Sequence, residues 1–219
     1  EAVAQAVIMS DDGTIEVLIN NAGYGQAGAL EDISREYMRE QFETNVFGLM
    51  ELTNEVLPYM REQGYGRIIN ISSVLGFVSL PFRGAYNASK YAVEGLSDTW
   101  RLELSNTNIK VSLIEPGPIR SMFRQTCIQK ALEAVDMDKS HFKATYERMI
   151  KSQKEKKKIP FMRKGEAVAK KILKAMTAKN PKPRYKVTVP THVFSVLKRV
   201  LSTSQLDWLL RKASREELN

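Results

Sequence analysis

Apolar residues follow two alternating periods along the first half of the chain. Short apolar runs at 15–19, 67–71 and 109–114 end at turn residues, which is typical of buried strands. Between them, at 34–63 and 85–105, apolar positions recur every three or four residues, the period of an amphipathic helix. Strands that alternate with helices in this way predict an α/β fold with a parallel sheet and right-handed crossovers.

The second half of the chain is less regular. Residues 119–163 predict one or two helices rich in Met, Lys and Gln, and 165–178 predict a clear amphipathic helix. Residues 184–190 predict an edge strand closed by proline, and 191–210 predict two short basic amphipathic helices. We therefore expect residues 1–219 to form a single domain, with basic helices over 191–219 at its end.

Composition restricts the class of protein. The chain has 219 residues, of which 43% are hydrophobic, and no apolar run approaches the about 18 residues that span a bilayer. Residues 1–10 lack the basic and apolar regions of a signal peptide. Cys127 is the single cysteine, and His141 and His192 lie far apart, so we expect no disulfide, no metal site and a reducing, cytoplasmic setting.

A formal net charge of +8 raises the question of a polyanionic partner. Lysines crowd residues 151–158, but no aromatic residues or nucleic-acid motif accompany them, so the run predicts a solvated helix face and no nucleic-acid binding. The amphipathic stretch 193–201 could lie on a membrane surface. Docking on the sheet or on a partner subunit is the interpretation we favour.

Three glycines, Gly23, Gly25 and Gly28, match the dinucleotide-binding pattern G-x-G-x-x-G directly after a predicted strand. That pattern binds pyrophosphate only where a helix opens at the glycines and a second strand ends in an acid about 20 residues on. Glu43 has the right spacing but lies within the predicted helix 34–63. We therefore interpret the glycines as a flexible turn.

A stronger chemical signal is Tyr86-x-x-x-Lys90 at the start of the predicted helix 85–105. Residues i and i+4 share a helix face, so a lysine charge there favours the phenolate and lowers the tyrosine pKa from its usual value near ~10. Ser73 follows the second strand, where parallel sheets place ligands. Asn45 is a polar residue on an apolar helix stripe, either functional or a buried amide satisfied by neighbouring backbone.

Five motifs in this order and spacing resemble the short-chain dehydrogenase/reductase family, in particular bacterial members similar to 17-beta-hydroxysteroid dehydrogenases and aldehyde reductases. The resemblance covers residues 1–123. The motifs are Asn20-Asn-Ala-Gly23, Asn45-Val-Phe-Gly48, Ser73, Tyr86-x-x-x-Lys90 and Pro116-Gly-Pro-Ile-Arg-Ser121. The resemblance implies a Rossmann-like, doubly wound parallel sheet.

The same resemblance implies an NAD(P)-dependent oxidoreductase that moves a hydride between nicotinamide and a carbonyl or alcohol substrate, such as an aldehyde, a ketone or a steroid-like molecule. Tyr86 would act as general acid or base, and Ser73 would orient the substrate oxygen. Lys90 would lower the Tyr86 pKa and bind the nicotinamide ribose. Asn45 would hold a water that relays protons from Lys90 to solvent.

The cofactor would be NADP or NAD, with NADP favoured. The residues implied to contact it are Asn20, Ala22, Gly23, Tyr86, Lys90, Pro116, Gly117, Ile119 and Ser121. The family usually has threonine where Ser121 stands, and the hydroxyl is kept. Residues 119–163 would form a lid over an apolar substrate pocket, and the helices of Asn45 and Tyr86 would pair in a homodimer or homotetramer.

The chain departs from the family at its start. Family members begin with a strand, a T-G-x-x-x-G-x-G turn and two further strands, whereas only 14 residues precede the first predicted strand here. We therefore expect a sheet that lacks the first strands and the glycine-rich cofactor turn, with 15–19 as an exposed apolar edge. A fragment of a longer enzyme is the favoured interpretation, and a non-catalytic short form acting through oligomerisation is the alternative.

Overall fold

A computed structural model gives the fold and describes residues 14–154 and 160–215. Within them, six strands form two sheets. The strands are β1 Val17–Asn20, β2 Gly66–Ile71, β3 Ile109–Glu115, β4 Ile119–Arg120, β5 Arg163–Lys164 and β6 Arg184–Lys186. The order in the larger sheet is β1-β2-β3-β6, and all its pairs are parallel. The predicted parallel sheet is confirmed.

Helices cover both faces of this sheet. They are α1 Arg35–Phe42, α2 Gly48–Glu62, α3 Gly84–Glu103, α4 Phe123–Ala134, α5 Lys143–Lys154, α6 Glu166–Thr177, α7 Val189–Val200 and α8 Thr203–Ala213. On one face, α2 and α3 pack with Leu49, Val93 and Trp100 in a buried core. On the other, Ala175 of α6 packs with Ile69 and other strand residues. Because both faces are covered, the central strands carry apolar residues at successive positions, as at Ile68 and Ile69 of β2.

The predicted helix 34–63 is divided in the structure. A π-helical turn, Glu43–Phe47, lies between α1 and α2, and it contains Asn45. Such turns disturb the regular hydrogen-bond ladder and are frequent at functional sites. The local distortion therefore coincides with a residue of the family motifs.

The first strand is better protected than expected. Val17 and Leu18 are only 7% and 1% exposed. Leu18 packs into the core with α2 and α3, and Val17 packs into the core with α6. Among the described residues, β1 pairs with β2 alone, so its other backbone edge has no neighbouring strand. The expectation of an exposed apolar edge was wrong for the side chains.

The last strand is shorter than predicted. β6 ends at Lys186, and Val189 and Pro190 already belong to the first turn of α7. Proline lacks a backbone N–H, which in the first helical turn has no intrahelical partner, so the residue suits a helix start as well as a strand end. The predicted strand 184–190 was therefore too long.

The terminal helices dock on this chain itself. Leu206 and Leu210 of α8 are buried with Leu75 and Val78, in the same cluster as Tyr86. Within the part of the chain that the structure describes, no helix is long and apolar enough to cross a membrane. Most of the lysine run predicted as a solvated face, 155–158, lies outside the described residues.

Two helices, α4 and α5, lie within residues 119–163, where the sequence predicts one or two. They pack on the loop after β1 through a separate small core. Its buried members are Ala29, Phe82, Val135 and Tyr146. This segment therefore covers the carboxyl edge of β1.

Candidate active site

The Tyr86 and Lys90 side chains lie together on α3, as their spacing predicts. The Lys90 Nζ atom is 5.8 Å from the centroid of the Tyr86 ring. Ser73 directly precedes a 3-10 turn, Val74–Gly76, and its hydroxyl accepts a hydrogen bond of 3.1 Å from the Leu75 amide. The Ser73 hydroxyl also lies near enough to the Tyr86 phenol to lower its pKa. All three side chains meet beyond the carboxyl end of β2.

Lys90 is a buried cation, only 6% exposed. Its Nζ donates a hydrogen bond of 2.7 Å to the carbonyl oxygen of Ile71, the last residue of β2. Burial lowers the Lys90 pKa to about 8, while the nearby Glu94 carboxylate acts in the opposite direction. The ammonium thus titrates much closer to neutrality than an exposed lysine does.

The Tyr86 phenol behaves differently from the sequence prediction. Burial raises its pKa above the ordinary value, the nearby Ser73 hydroxyl lowers it, and the Cys127 thiol raises it. The Phe123 ring packs against Tyr86 with centroids 5.2 Å apart and shields it from water. The expected lowering by Lys90 is not seen in this closed arrangement, because desolvation outweighs the other influences.

Asn45 fastens the loop after β1 to the helices. Its amide nitrogen donates to the Tyr24 carbonyl and to the Ser89 hydroxyl, each at 3.0 Å, and its oxygen accepts from the Tyr24 amide at 3.1 Å. A Cβ atom at Gly23 would lie 3.0 Å from that oxygen. The structure therefore shows the buried amide that the sequence left as an alternative, with both N–H groups used.

The Asn20 side chain points into the core. Its amide nitrogen donates to Thr53 at 3.0 Å and to Asn70 at 2.8 Å, and Asn70 in turn donates to Ser97 at 2.8 Å. Asn20 is 4% exposed, so its side chain anchors the end of β1. Of the other predicted residues on this loop, Ala22 is half-buried and Gly23 is exposed.

The segment after β3 reaches the same edge of the sheet. The Pro116 carbonyl accepts a 2.7 Å hydrogen bond from the Val74 amide, beside Ser73. A Cβ atom at Gly117 would lie 2.2 Å from the Thr188 hydroxyl oxygen, so only glycine fits this contact. Ile119 is half-buried in β4, and Ser121 is exposed.

The G-x-G-x-x-G segment is a loop, and no helix opens at its glycines. It is packed rather than exposed, since Gly25 and Gly28 are both buried. A Cβ atom at Gly25 would lie 2.7 Å from the Cys127 sulfur and 2.9 Å from the Phe123 ring. These glycines therefore allow α4 to approach, which is a different role from pyrophosphate binding.

A charged cluster beside Lys90 was missed from the sequence. The Arg184 guanidinium lies 3.0 Å from Glu94, 2.7 Å from Asp98 and 3.2 Å from Glu115. The only sequence signal is that Glu94 follows Lys90 by four residues and so shares its helix face. Among the described residues, no group of His, Cys, Asp and Glu could hold a metal ion.

Comparisons with known proteins agree on one family. The family model described as short chain dehydrogenase matches residues 1–131. The uncharacterized oxidoreductase YbbO of Escherichia coli K12 is 41% identical over 215 residues, 96% of this chain and 72% of YbbO. The 3-ketodihydrosphingosine reductase of Bacteroides thetaiotaomicron is 48% identical over 124 residues, 56% of this chain and 46% of the reductase.

Solved structures show the same likeness. A short-chain dehydrogenase from Streptomyces avermitilis superposes with a TM-score of 0.65 at 28% identity, covering 94% of this chain and 70% of that one. A short chain dehydrogenase from Burkholderia cenocepacia in complex with NADP has a TM-score of 0.65 at 22% identity, covering 90% and 68%. The second likeness is one of fold.

Proposed function

Because this chain belongs to the short-chain dehydrogenase/reductase family of oxidoreductases, we propose that it transfers a hydride between a nicotinamide cofactor and a carbonyl or alcohol substrate. The observation that carries the proposal is the convergence of Ser73, Tyr86 and Lys90 beyond the carboxyl end of β2. Open α/β sheets bind ligands at this edge.

Each residue of the site has a different role in proton transfer. Tyr86 gives its phenolic proton to the substrate oxygen in reduction and takes it back in oxidation. Ser73, whose hydroxyl lies near that phenol, orients the substrate oxygen and stabilises its developing negative charge. Lys90 supplies a buried positive charge beside the ring, and Asn45 holds the neighbouring loop in place.

The donor set fits the nicotinamide end of the cofactor, which would supply or accept the hydride. Lys90 would bind the ribose hydroxyls, and the exposed backbone at Gly23 would allow close approach. Asn20, Ala22, Pro116, Gly117, Ile119 and Ser121 remain the other proposed contacts. We propose NADP or NAD as the cofactor, with NADP favoured.

The substrate we propose is a small apolar aldehyde or ketone, or the matching alcohol. Met122 and Phe123 are exposed at the start of α4, and the Phe123 ring packs against Tyr86. The small core that joins α4 and α5 to the loop after β1 is also apolar. The Bacteroides relative is named as a reductase of a keto compound, which agrees with this class. We propose residues 119–163 as the lid of a single domain, a homodimer or homotetramer as the assembly, and the cytoplasm as the location.

Fluorescence titration of the purified chain with NADPH and NADH is the first test, followed by a carbonyl screen. Tyr86→Phe should bind cofactor normally and lose at least about 10²-fold in kcat, because the proton donor is removed and the ring remains. Tyr91→Phe is the matched control, since Tyr91 is an exposed tyrosine on the same helix.

Two results would contradict the proposal. Wild-type turnover in Tyr86→Phe would exclude the assigned proton donor. A folded chain that binds neither NADPH nor NADH would instead support the non-catalytic alternative, in which the protein acts through oligomerisation.

A further inference from the structure

A ladder of charged side chains continues from Lys90 along one face of α3. Lys90, Glu94 and Asp98 are four residues apart and therefore stack on successive turns. Arg184 reaches this face from the neighbouring sheet edge, 3.0 Å from Glu94 and 2.7 Å from Asp98. The same guanidinium lies 3.2 Å from Glu115, the last residue of β3.

Two of these carboxylates are deeply buried. Glu94 is 8% exposed and Glu115 is 1% exposed, and each has one oxygen without a hydrogen-bond partner. A buried carboxylate is costly unless it is paired with a cation. Arg184 is the cation in contact with both, and Lys186 and Arg199 act on Glu115 from further away.

The ladder is connected to the proposed proton-handling pair. Lys90 contacts the Ile71 carbonyl and the Tyr86 ring, and the ionised group that favours its charged form is Glu94. Asp98 opposes the ionisation of Glu94, whereas Arg184 supports it. Arg184 therefore favours the charged form of Glu94, and Glu94 favours the charged form of Lys90.

We propose that Arg184 is a positioning residue for the Tyr86–Lys90 pair, because it holds Glu94 as a carboxylate one helical turn from the Lys90 ammonium. Arg184 acts through Glu94 and Lys90, from a strand that carries none of the family motifs. The catalytic consequence rests on the proposed function, but the electrostatic consequence does not.

The expected direction follows from the sign of each charge. Without Arg184, Glu94 loses the cation that favours its carboxylate, so its pKa, which burial already raises, rises further. Neutral Glu94 no longer supports the Lys90 ammonium, whose pKa then falls further below about 8. Lys90 is charged below its pKa, so its charge is lost at a lower pH.

Carbon-13 NMR of lysine-labelled protein measures this directly in the full chain, with Lys90→Arg assigning the signal. Arg184→Gln and Glu94→Gln should each lower the Lys90 pKa by about 1 unit, the size expected when a nearby opposite charge is lost. Arg184→Lys keeps the positive charge, so it should lower the Lys90 pKa less than Arg184→Gln does. Arg61→Gln should leave the Lys90 pKa unchanged, because Arg61 is an exposed arginine in the last turn of α2, outside this ladder.

An unchanged or raised Lys90 pKa in Arg184→Gln would overturn the inference. If that variant does not fold, Glu94→Gln decides, and an unchanged Lys90 pKa there has the same meaning. Both results are readable without any enzymatic activity.

The pH profile of kcat then tests the catalytic consequence. The alkaline limb should move to lower pH by about the shift seen in NMR, whereas a purely structural role would lower kcat equally at every pH and contradict the inference. If NMR shows the shift but the wild type has no turnover, the inference stands and the proposed function fails. If the wild type turns over and the alkaline limb of Arg184→Gln does not move, the proposed function stands and the inference fails.

Discussion

Gly76 is the residue that lets the Ser73 loop approach α3. A Cβ atom there would lie 2.6 Å from the Ser72 hydroxyl oxygen and 2.9 Å from Glu94 Cγ. Gly76 is itself buried, so neither neighbour can move away freely. The contact ties the loop that carries Ser73 to the helix that carries Lys90.

Gly76→Ala should therefore destabilise the protein by about 1–3 kcal/mol, the usual cost of overpacking. Urea denaturation measures it. Gly95→Ala is the matched control on α3: its added Cβ meets nothing within 4 Å, so removing a helical glycine should stabilise by roughly 0.5–1 kcal/mol. Equal stability of the two variants would show that the Gly76 contact is unimportant.

Glu115 predicts a pH dependence of stability. Burial raises its pKa to about 7 in the folded state, from 4.5 in the unfolded chain. The folded state thus holds more protons between these values, and this residue's contribution to stability is present below about pH 4.5 and lost as the pH rises through about 7.

Glu115→Gln should remove that contribution and flatten the fall in unfolding free energy between pH 5 and pH 8. Urea denaturation at both pH values provides the comparison. Glu103→Gln, at an exposed position at the end of α3, should keep the wild-type fall. A fall as steep in Glu115→Gln as in the wild type would contradict the assignment.

At the scale of elements, α5 is held to the loop after β1 by one tyrosine. The Tyr146 hydroxyl donates to Asp32 and accepts from the Ala29 amide, both at 2.7 Å. Ser140 also donates to Asp32 at 2.7 Å. Tyr146 is 1% exposed, so these bonds are shielded from water and fasten the proposed lid.

Tyr146→Phe should loosen α5 without unfolding the sheet. Loss of the hydroxyl leaves the buried Ala29 amide without its partner, whereas Asp32 keeps its bond to Ser140. An unpaired buried donor costs about 1–3 kcal/mol, which corresponds to roughly 10-fold or more faster amide exchange. Hydrogen exchange read out by mass spectrometry over 143–154 tests this. Tyr65→Phe, an exposed tyrosine bonded to Glu16, is the control, and unchanged exchange in Tyr146→Phe would rule out the fastening role.

At the scale of the whole molecule, α2 and α3 present large apolar side chains to solvent. Tyr59 is 58% exposed on α2, while Tyr91 and Leu102 are 38% and 69% exposed on α3. The opposite sides of the same helices form the core. These side chains are where we expect the proposed homodimer or homotetramer to form, because apolar groups on a helix surface gain from burial against a second copy.

Sedimentation of the purified chain at micromolar concentration should show more than one copy. Leu102→Glu should shift the mass toward the monomer, since a charge on the outer face of α3 opposes apolar contact. Leu173→Glu is the control, because Leu173 is similarly exposed on α6, across the sheet. A monomeric wild-type protein would contradict the proposed homodimer or homotetramer.

The sequence by itself determined the order of strands and helices and the meeting of Tyr86 with Lys90. Both depend on local pattern, since a short apolar run that ends at a turn marks a buried strand and a helix face repeats every three or four residues. Ser73 could be placed for a related reason, as parallel strands bring their carboxyl ends to one edge of the sheet.

Only the tertiary structure decided how these residues are surrounded. Arg184 and Glu94 are 90 residues apart in the chain, and Asn45 binds Tyr24 across 21 residues. The Phe123 ring that covers Tyr86 comes from another segment again. No local period encodes such contacts, so the burial that raises the Tyr86 pKa and the ion pairs beside Lys90 arise only when the chain is folded.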